Sequence, residues 1–228
     1  MTTGLPDLAL HQTAAGAMMA AAGERYRWTD WTTIEQGTKM SRGRQTKLVG
    51  QVAEHLVVAE LGRRGLIATG FAGNVPAFDV IAADEYCRTV PIQVKASSGD
   101  SWPTDARTFM RIEYDQSEKR QNYLGPETLD TPDLIYVFVA LASQAADSRD
   151  RFFILTMSEL QQVCIKCYSA WMDSKDWRRP RSPESYDNRF WIPAIVEFEN
   201  RWQLILDRLQ KRTPDPALGT SPHNPEAV

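Results

Sequence analysis

Asp79, Gln93 and Lys95 are the residues of this chain whose types and spacing can do chemistry together. The apolar runs Phe78 to Ala83 and Thr89 to Ala96 read as two strands, and the polar stretch Asp84 to Arg88 between them reads as a turn. A turn centred on Tyr86 sets Asp79 opposite Gln93, where the Cβ atoms of an antiparallel pair lie ~4.5–5.5 Å apart. The two-residue period of a strand returns Lys95 to the face of Gln93. One carboxylate, one amide oxygen and one ammonium then converge. With the backbone carbonyl of Val94, Asp79 and the Gln93 side-chain oxygen form an oxygen set suited to Mg²⁺, a hard cation held by one or two carboxylates plus substrate phosphate. A metal at such a place lowers the pKa of its water and neutralises charge on a phosphate, and Lys95 is placed to orient the nucleophile or offset the same charge.

The element that must support this hairpin is the segment before it. Lys47 to Arg64 has helical character and stops at Gly65, where a C-terminal glycine belongs. Leu48, Val49, Val52, Leu56, Val57, Val58 and Leu61 wrap most of its circumference, which predicts a substantially buried helix packed between a sheet and other helices. Gly50 is expected to let the helix approach the sheet closely. Positions 50, 54, 58 and 61 share a face, so Glu54 is expected to point inward, where a carboxylate needs a partner. Glu60 competes for that role, but Arg64 four residues on gives it an ordinary surface ion pair, and Glu54 is preferred.

Gly50-Gln51-Val52-Ala53-Glu54 on a helix, Phe78-Asp79 at a strand and Gln93-Val94-Lys95 on the next strand together resemble the PD-(D/E)XK, or restriction-endonuclease-like, nuclease superfamily in a QxK variant. The resemblance covers about residues 47 to 96. It implies an α/β fold with an αβββαβ core, a mixed central sheet and flanking helices. It also implies Mg²⁺- or Mn²⁺-dependent hydrolysis of DNA phosphodiester bonds, with Asp79 and Gln93 as metal ligands, Lys95 catalytic and Glu54 an accessory acid that can also contact the metal. Restriction enzymes, Holliday-junction resolvases and homing endonucleases belong to that superfamily. The chain departs from its pattern in two places: Phe78 stands where the motif has proline, and Gln93 stands at the second acidic position, removing a negative charge from the site. A catalytically inactive DNA-binding or protein-interaction module on the same fold is the alternative. A solvated strand face carrying Gln93 and Lys95, with Asp79 capping a turn, is the plainest reading of all, and an unrelated small-molecule function would require no convergence of the four residues.

The rest of the chain sets the context. Of 228 residues, 43% are hydrophobic and 24% charged, with a formal net charge of −3, so the chain has enough apolar material for one core and no overall basic field for nucleic acid; DNA binding must use local patches. Residues 1–39 read as a poorly structured extension, with translation able to start at Met40. Residues 40–211 read as the nuclease-like domain, and 212–228, rich in proline, as a disordered tail. Further strands are expected at Leu66 to Phe71, Asp133 to Leu141 and Arg151 to Leu155, and helices at Ser158 to Asp173 and Ala194 to Leu209. In the stretch 97–132 a strand is expected at Arg107 to Glu113 and a short helix near Asp115 to Tyr123. Apolar stretches are too short for a membrane helix, and three cysteines without a signal sequence fit a reducing cytoplasm.

Arg42, Arg44 and Lys47, and separately Arg178, Arg179 and Arg181, form basic clusters that could contact phosphates but more commonly are solvated surface. Trp102 and Tyr123 are expected in core or lid packing before base stacking, and Ser97, on the Lys95 face, is a candidate to contact phosphate or the metal-bound water. Cys164 and Cys167 have CxxC spacing without a second pair, and with Leu160 and Trp171 they read as one face of a helix core. His11, His55 and His223 are scattered and supply no metal motif. A homodimer is expected if one site per copy is to cut both strands.

Overall fold

The computed structural model describes residues 41–71, 77–143 and 148–211. The extension 1–39, the start site Met40 and the tail 212–228 lie outside the described residues. Helix α1 (Arg42–Gly62) begins a turn earlier than its apolar pattern. It ends in a glycine motif: Gly65 adopts φ 79°, the Gly65 N–H donates to the Gly62 carbonyl at 3.0 Å, and the Leu66 N–H reaches the Leu61 carbonyl at 3.1 Å. Leu66 and Leu61 enter the same core cluster, the apolar contact that accompanies such an end.

Five strands form the central sheet in the order β1 (Ile67–Gly70), β2 (Val80–Ala83), β3 (Thr89–Ser97), β7 (Ile135–Ala140), β8 (Arg151–Thr156). The first three are an antiparallel meander, β7 runs parallel to β3, and β8 returns antiparallel. Fully buried Ala53, Val57 and Leu61 of α1 pack on one face against Val80, Ile92 and Val137, joined by α3 (Gln203–Gln210). The other face, through Phe138, Phe153 and Leu155, packs on α2 (Met157–Asp173). The mixed sheet flanked by helices is the α/β architecture expected.

Three expectations change. Leu48 and Val52 are 48% and 40% exposed, so only the stripe through Ala53, Val57 and Leu61 is deeply buried; one sheet face covers one side of a helix, however many apolar residues it carries. The connection between β3 and β7 holds no α-helix. It contains β4 (Ser101–Asp105), a 3₁₀ turn at Ala106–Thr108 and a hairpin of β5 (Met110–Asp115) and β6 (Arg120–Pro126), and β4 pairs with β9 (Asp187–Trp191). The helix expected near Asp115 to Tyr123 is thus a turn and a strand: Asp115 Oδ1 accepts from the N–H groups of Ser117 and Glu118, and Lys119 at φ 51° reverses the chain. Finally, Ala194 to Leu209 is not one helix. Two 3₁₀ turns, Ile192–Ala194 and Val196–Phe198, precede α3, because Asn200 at φ 55° donates its N–H to Phe152 and breaks the helical path.

Candidate active site

The loop between β2 and β3 fixes the register that brings the site together. Asp84 Oδ1 accepts from the N–H groups of Tyr86 and Arg88, each at 3.0 Å, while the Arg88 guanidinium binds Oδ2 at 2.6 Å. With that turn closed, Val80 faces Ile92. Asp79, one residue before β2, donates its N–H to the Ile92 carbonyl at 2.9 Å and lies beside Gln93. Its Oδ2 accepts from the Val94 N–H at 2.8 Å and from the Gln93 side-chain amide. The carboxylate thus takes over a ladder position that the end of β2 leaves open.

Gln93 and Lys95 share the sheet face that α2 covers further along. The Lys95 side chain is exposed and has no ion-pair or hydrogen-bond partner among the described residues. Its backbone is held instead: the indole N–H of Trp102, only 2% exposed, donates to the Lys95 carbonyl at 3.2 Å, and the indole is fixed by the rings of Phe138, Phe153 and Phe190.

Glu54 sits on α1, which covers the opposite face, beside the buried Ala53. Burial pushes its carboxyl above the ordinary range, and the negative charge of Asp79 adds to the shift, partly offset by His55. The two acids therefore share one electrostatic environment at the end of β2. The Glu54 carboxylate makes no hydrogen bond or ion pair with the described residues. Gly50 does not bring α1 closer to the sheet, since a Cβ there would meet nothing within 4 Å; the small residue in the interface is Ala53. Glu60 pairs with Arg63 and, at 2.6 Å, with Arg64, as its spacing requires.

Tyr136 was not legible as a member of this group. In the parallel pairing of β3 with β7 it is the register partner of Gln93. Burial raises its phenol pKa, and the charge of Asp79 raises it further, which places the hydroxyl within the field of the same carboxylate. Its hydroxyl has no hydrogen-bond partner among the described residues. Beside it opens a cavity of about 310 Å³ whose lining includes Lys95, Trp102, Thr104, Thr108, Tyr136 and Phe138.

Other candidates are accounted for locally. Ser97 Oγ accepts from the Gly99 N–H at 3.1 Å. Tyr123 stacks on Trp177 with ring centres 5.9 Å apart. Arg178 pairs with Asp176 and Glu118, and Arg179 lies over Trp171 and donates to the Asp187 carbonyl. Arg44 and Lys47 are exposed on the first turns of α1. Cys164 is buried, its thiol pushed up to about 12 by burial, and both it and Cys167 are free, as small core residues.

The oxygens that the hairpin brings together are the second carboxylate oxygen of Asp79, the Gln93 amide oxygen and the Val94 carbonyl, while the Glu54 carboxylate is linked to them only through the influence of the Asp79 charge on it. That chemistry fits a hard divalent cation that retains water. Among the described residues no three His, Cys, Asp or Glu side chains cluster in a metal-binding arrangement, so any such ion would depend on the amide and backbone oxygens. No described helix is long and apolar enough to cross a membrane.

No protein-family model and no curated protein matches the chain. Among solved structures the chain is similar to one titled "The structure of a bacterial homing endonuclease: I-Ssp6803I", with a TM-score of 0.41 and 14% identity, over 74% of this chain and 99% of that one. At that level the likeness transfers neither fold nor function.

Proposed function

We propose that the chain is a Mg²⁺- or Mn²⁺-dependent endonuclease of the PD-(D/E)XK type that hydrolyses DNA phosphodiester bonds. The observation that supports this most directly is the unpaired Lys95 ammonium on the face where the Gln93 amide meets the Asp79 carboxylate. An ammonium left without a carboxylate beside an acidic site is available to a phosphate. Asp79, Gln93 through its amide oxygen, the Val94 carbonyl and Glu54 would hold the cation. When bound, it would supply an acidified water and offset charge on the phosphate. Lys95 then contacts a non-bridging phosphate oxygen and holds the phosphorus for in-line attack, stabilising charge as it builds. In that reaction the water would give up one proton to solvent as its oxygen bonds to phosphorus, the bond to the leaving sugar oxygen would break, and that oxygen would take up a proton from solvent. The Trp102 bond to the Lys95 carbonyl keeps the lysine's backbone in place. A homodimer, one site per strand, and a cytoplasmic setting belong to the same reading.

One observation favours the inactive module as a second reading. Asp79 Oδ2 is already satisfied by Val94 and Gln93, so the three residues form a self-sufficient hydrogen-bonded turn without any metal. Cleavage of duplex, single-stranded and four-way-junction DNA, with and without Mg²⁺, by wild type and Lys95→Ala, separates the two. Metal-dependent cutting lost in the variant supports the nuclease. Folded protein that binds DNA but never cuts supports the module.

A further inference from the structure

We propose that the Tyr136 hydroxyl is a second donor to the DNA phosphate that Lys95 engages, so that one neutral and one charged group together hold its non-bridging oxygens. Tyr136 would thus serve the site described above, and its role rests on the nuclease reading for the choice of DNA as the ligand.

Gln93 is opposed to Tyr136 in the parallel pairing of β3 with β7, and Lys95 is opposed to Phe138. Tyr136 and Lys95 are therefore diagonal neighbours on one face of the sheet, with Gln93 beside each. Such neighbours stand about 7–8 Å apart, within reach of aromatic and long side chains. A lysine and a tyrosine both extend beyond the shorter Gln93 side chain, so their ends can meet one ligand above it. Both border the same cavity. The phenol ring is fixed in place: it stacks on Phe138 with ring centres 6.0 Å apart and planes 17° from parallel, and Phe138 is itself core. Packing accounts for the ring and leaves the hydroxyl unexplained, since a phenylalanine would stack there equally well. Tyr136 is half-buried, and its hydroxyl is bonded to no described residue and is not among the fully buried polar atoms without a partner, which leaves it open to solvent. A phenol at ordinary pH is neutral and donates one O–H. A fixed donor beside a flexible ammonium suits a phosphate: the lysine supplies charge, and the tyrosine sets the orientation in which the phosphate is held.

The test compares wild type, Tyr136→Phe and Lys95→Ala in cleavage of DNA with Mg²⁺ and, by fluorescence anisotropy over a range of salt, in affinity for the same DNA with Ca²⁺ in place of Mg²⁺. Tyr136→Phe is expected to bind about tenfold more weakly, the lower end for a hydrogen bond to a charged group. Its slope of log affinity against log salt should match wild type because no charge is lost, whereas Lys95→Ala should lower that slope by about one phosphate contact. Its kcat/KM should fall at least as far as its affinity, with the thermal melt unchanged, because the hydroxyl removed has no protein partner. Wild-type affinity and cutting in Tyr136→Phe would overturn the role of Tyr136 and leave the nuclease reading standing. Weaker binding accompanied by a lowered melting midpoint would also overturn it, by making Tyr136 a core residue alone. The expected binding pattern in protein that never cuts would keep the Tyr136 contact and remove the nuclease. Folded wild-type protein that neither binds nor cuts DNA would overturn both.

Discussion

Asp79 Oδ2 accepts the backbone N–H of Val94 at 2.8 Å, so the residue proposed to hold a metal also closes the β2–β3 hairpin. The two roles separate by substitution. Asp79→Asn keeps an oxygen for the Val94 N–H but loses the charge that a cation needs. Asp79→Ala loses both and leaves a half-buried N–H without its partner, which costs about 1–3 kcal/mol. Both variants are expected to lose metal-dependent cutting, and only the alanine should show a clearly lowered midpoint in urea. An alanine variant as stable as wild type would show that the hairpin does not rely on this bond.

Lys95→Ala should lower cleavage by about 10²–10³-fold, the scale for removing one stabilising donor at a reacting centre. Its stability should stay within about 0.5 kcal/mol of wild type, as for other exposed, unpaired side chains. Trp102→Phe tests the support beneath it. That substitution keeps an aromatic ring against Phe190 but removes the donor to the Lys95 carbonyl, and is expected to cost about 0.5–1.5 kcal/mol in chemical denaturation from the hydrogen bond. A normal KM with a reduced kcat would mark Trp102 as positioning Lys95, whereas parallel loss of folded protein would mark it as core alone.

Gly50→Ala is expected to stabilise the protein by about 0.5–1 kcal/mol, since glycine is unfavourable inside a helix and a Cβ there meets no neighbour. Cleavage should not change. A destabilised Gly50→Ala protein in a thermal melt would contradict the open space seen around this residue.

What could be read in advance follows the range of the interaction. Asp79 meets Gln93 as the sequence suggests because a local turn, closed by Asp84 and Arg88, sets the register. Tyr136 meets the same group only through a parallel pairing across a long connection, and nothing local announces which residue of β7 will stand beside Gln93. Asp115 misleads for a different reason: accepting N–H bonds from two and three residues on is what both a helix cap and a tight turn require, and Lys119 decides between them. For Leu48 and Val52 the pattern marks apolar residues but cannot say how far a single sheet face extends around the helix.

The inserted hairpin is fastened by Gln121, whose amide donates to the Pro183 and Ser185 carbonyls at 2.9 Å each while its oxygen accepts the Tyr168 hydroxyl at 2.6 Å. Gln121→Leu strands these partners and is expected to cost about 1–3 kcal/mol for each group left buried without a bond. Hydrogen exchange should speed up first in β6 and in the segment 183–185. Uniform exchange changes across the central sheet would show that the insert and the core unfold as one unit.

Stability in acid should report the pair that ties β8 to the chain before α3. Arg151 binds both oxygens of Glu199, at 2.8 and 2.6 Å, and this holds the Glu199 carboxyl below its ordinary value of 4.5. A carboxylate with a depressed folded-state pKa adds stability above its unfolded pKa and loses it as pH falls through the lower folded value. Glu199→Gln should therefore destabilise at pH 7 by up to about 1 kcal/mol, the upper range for a partly exposed pair of good geometry. Below pH 4 the gap to wild type should narrow as the wild-type carboxyl itself takes up a proton. Urea denaturation of both proteins at pH 7 and pH 3 checks this, and a gap that stays constant with pH would show that the effect of the substitution does not come from the charge of Glu199.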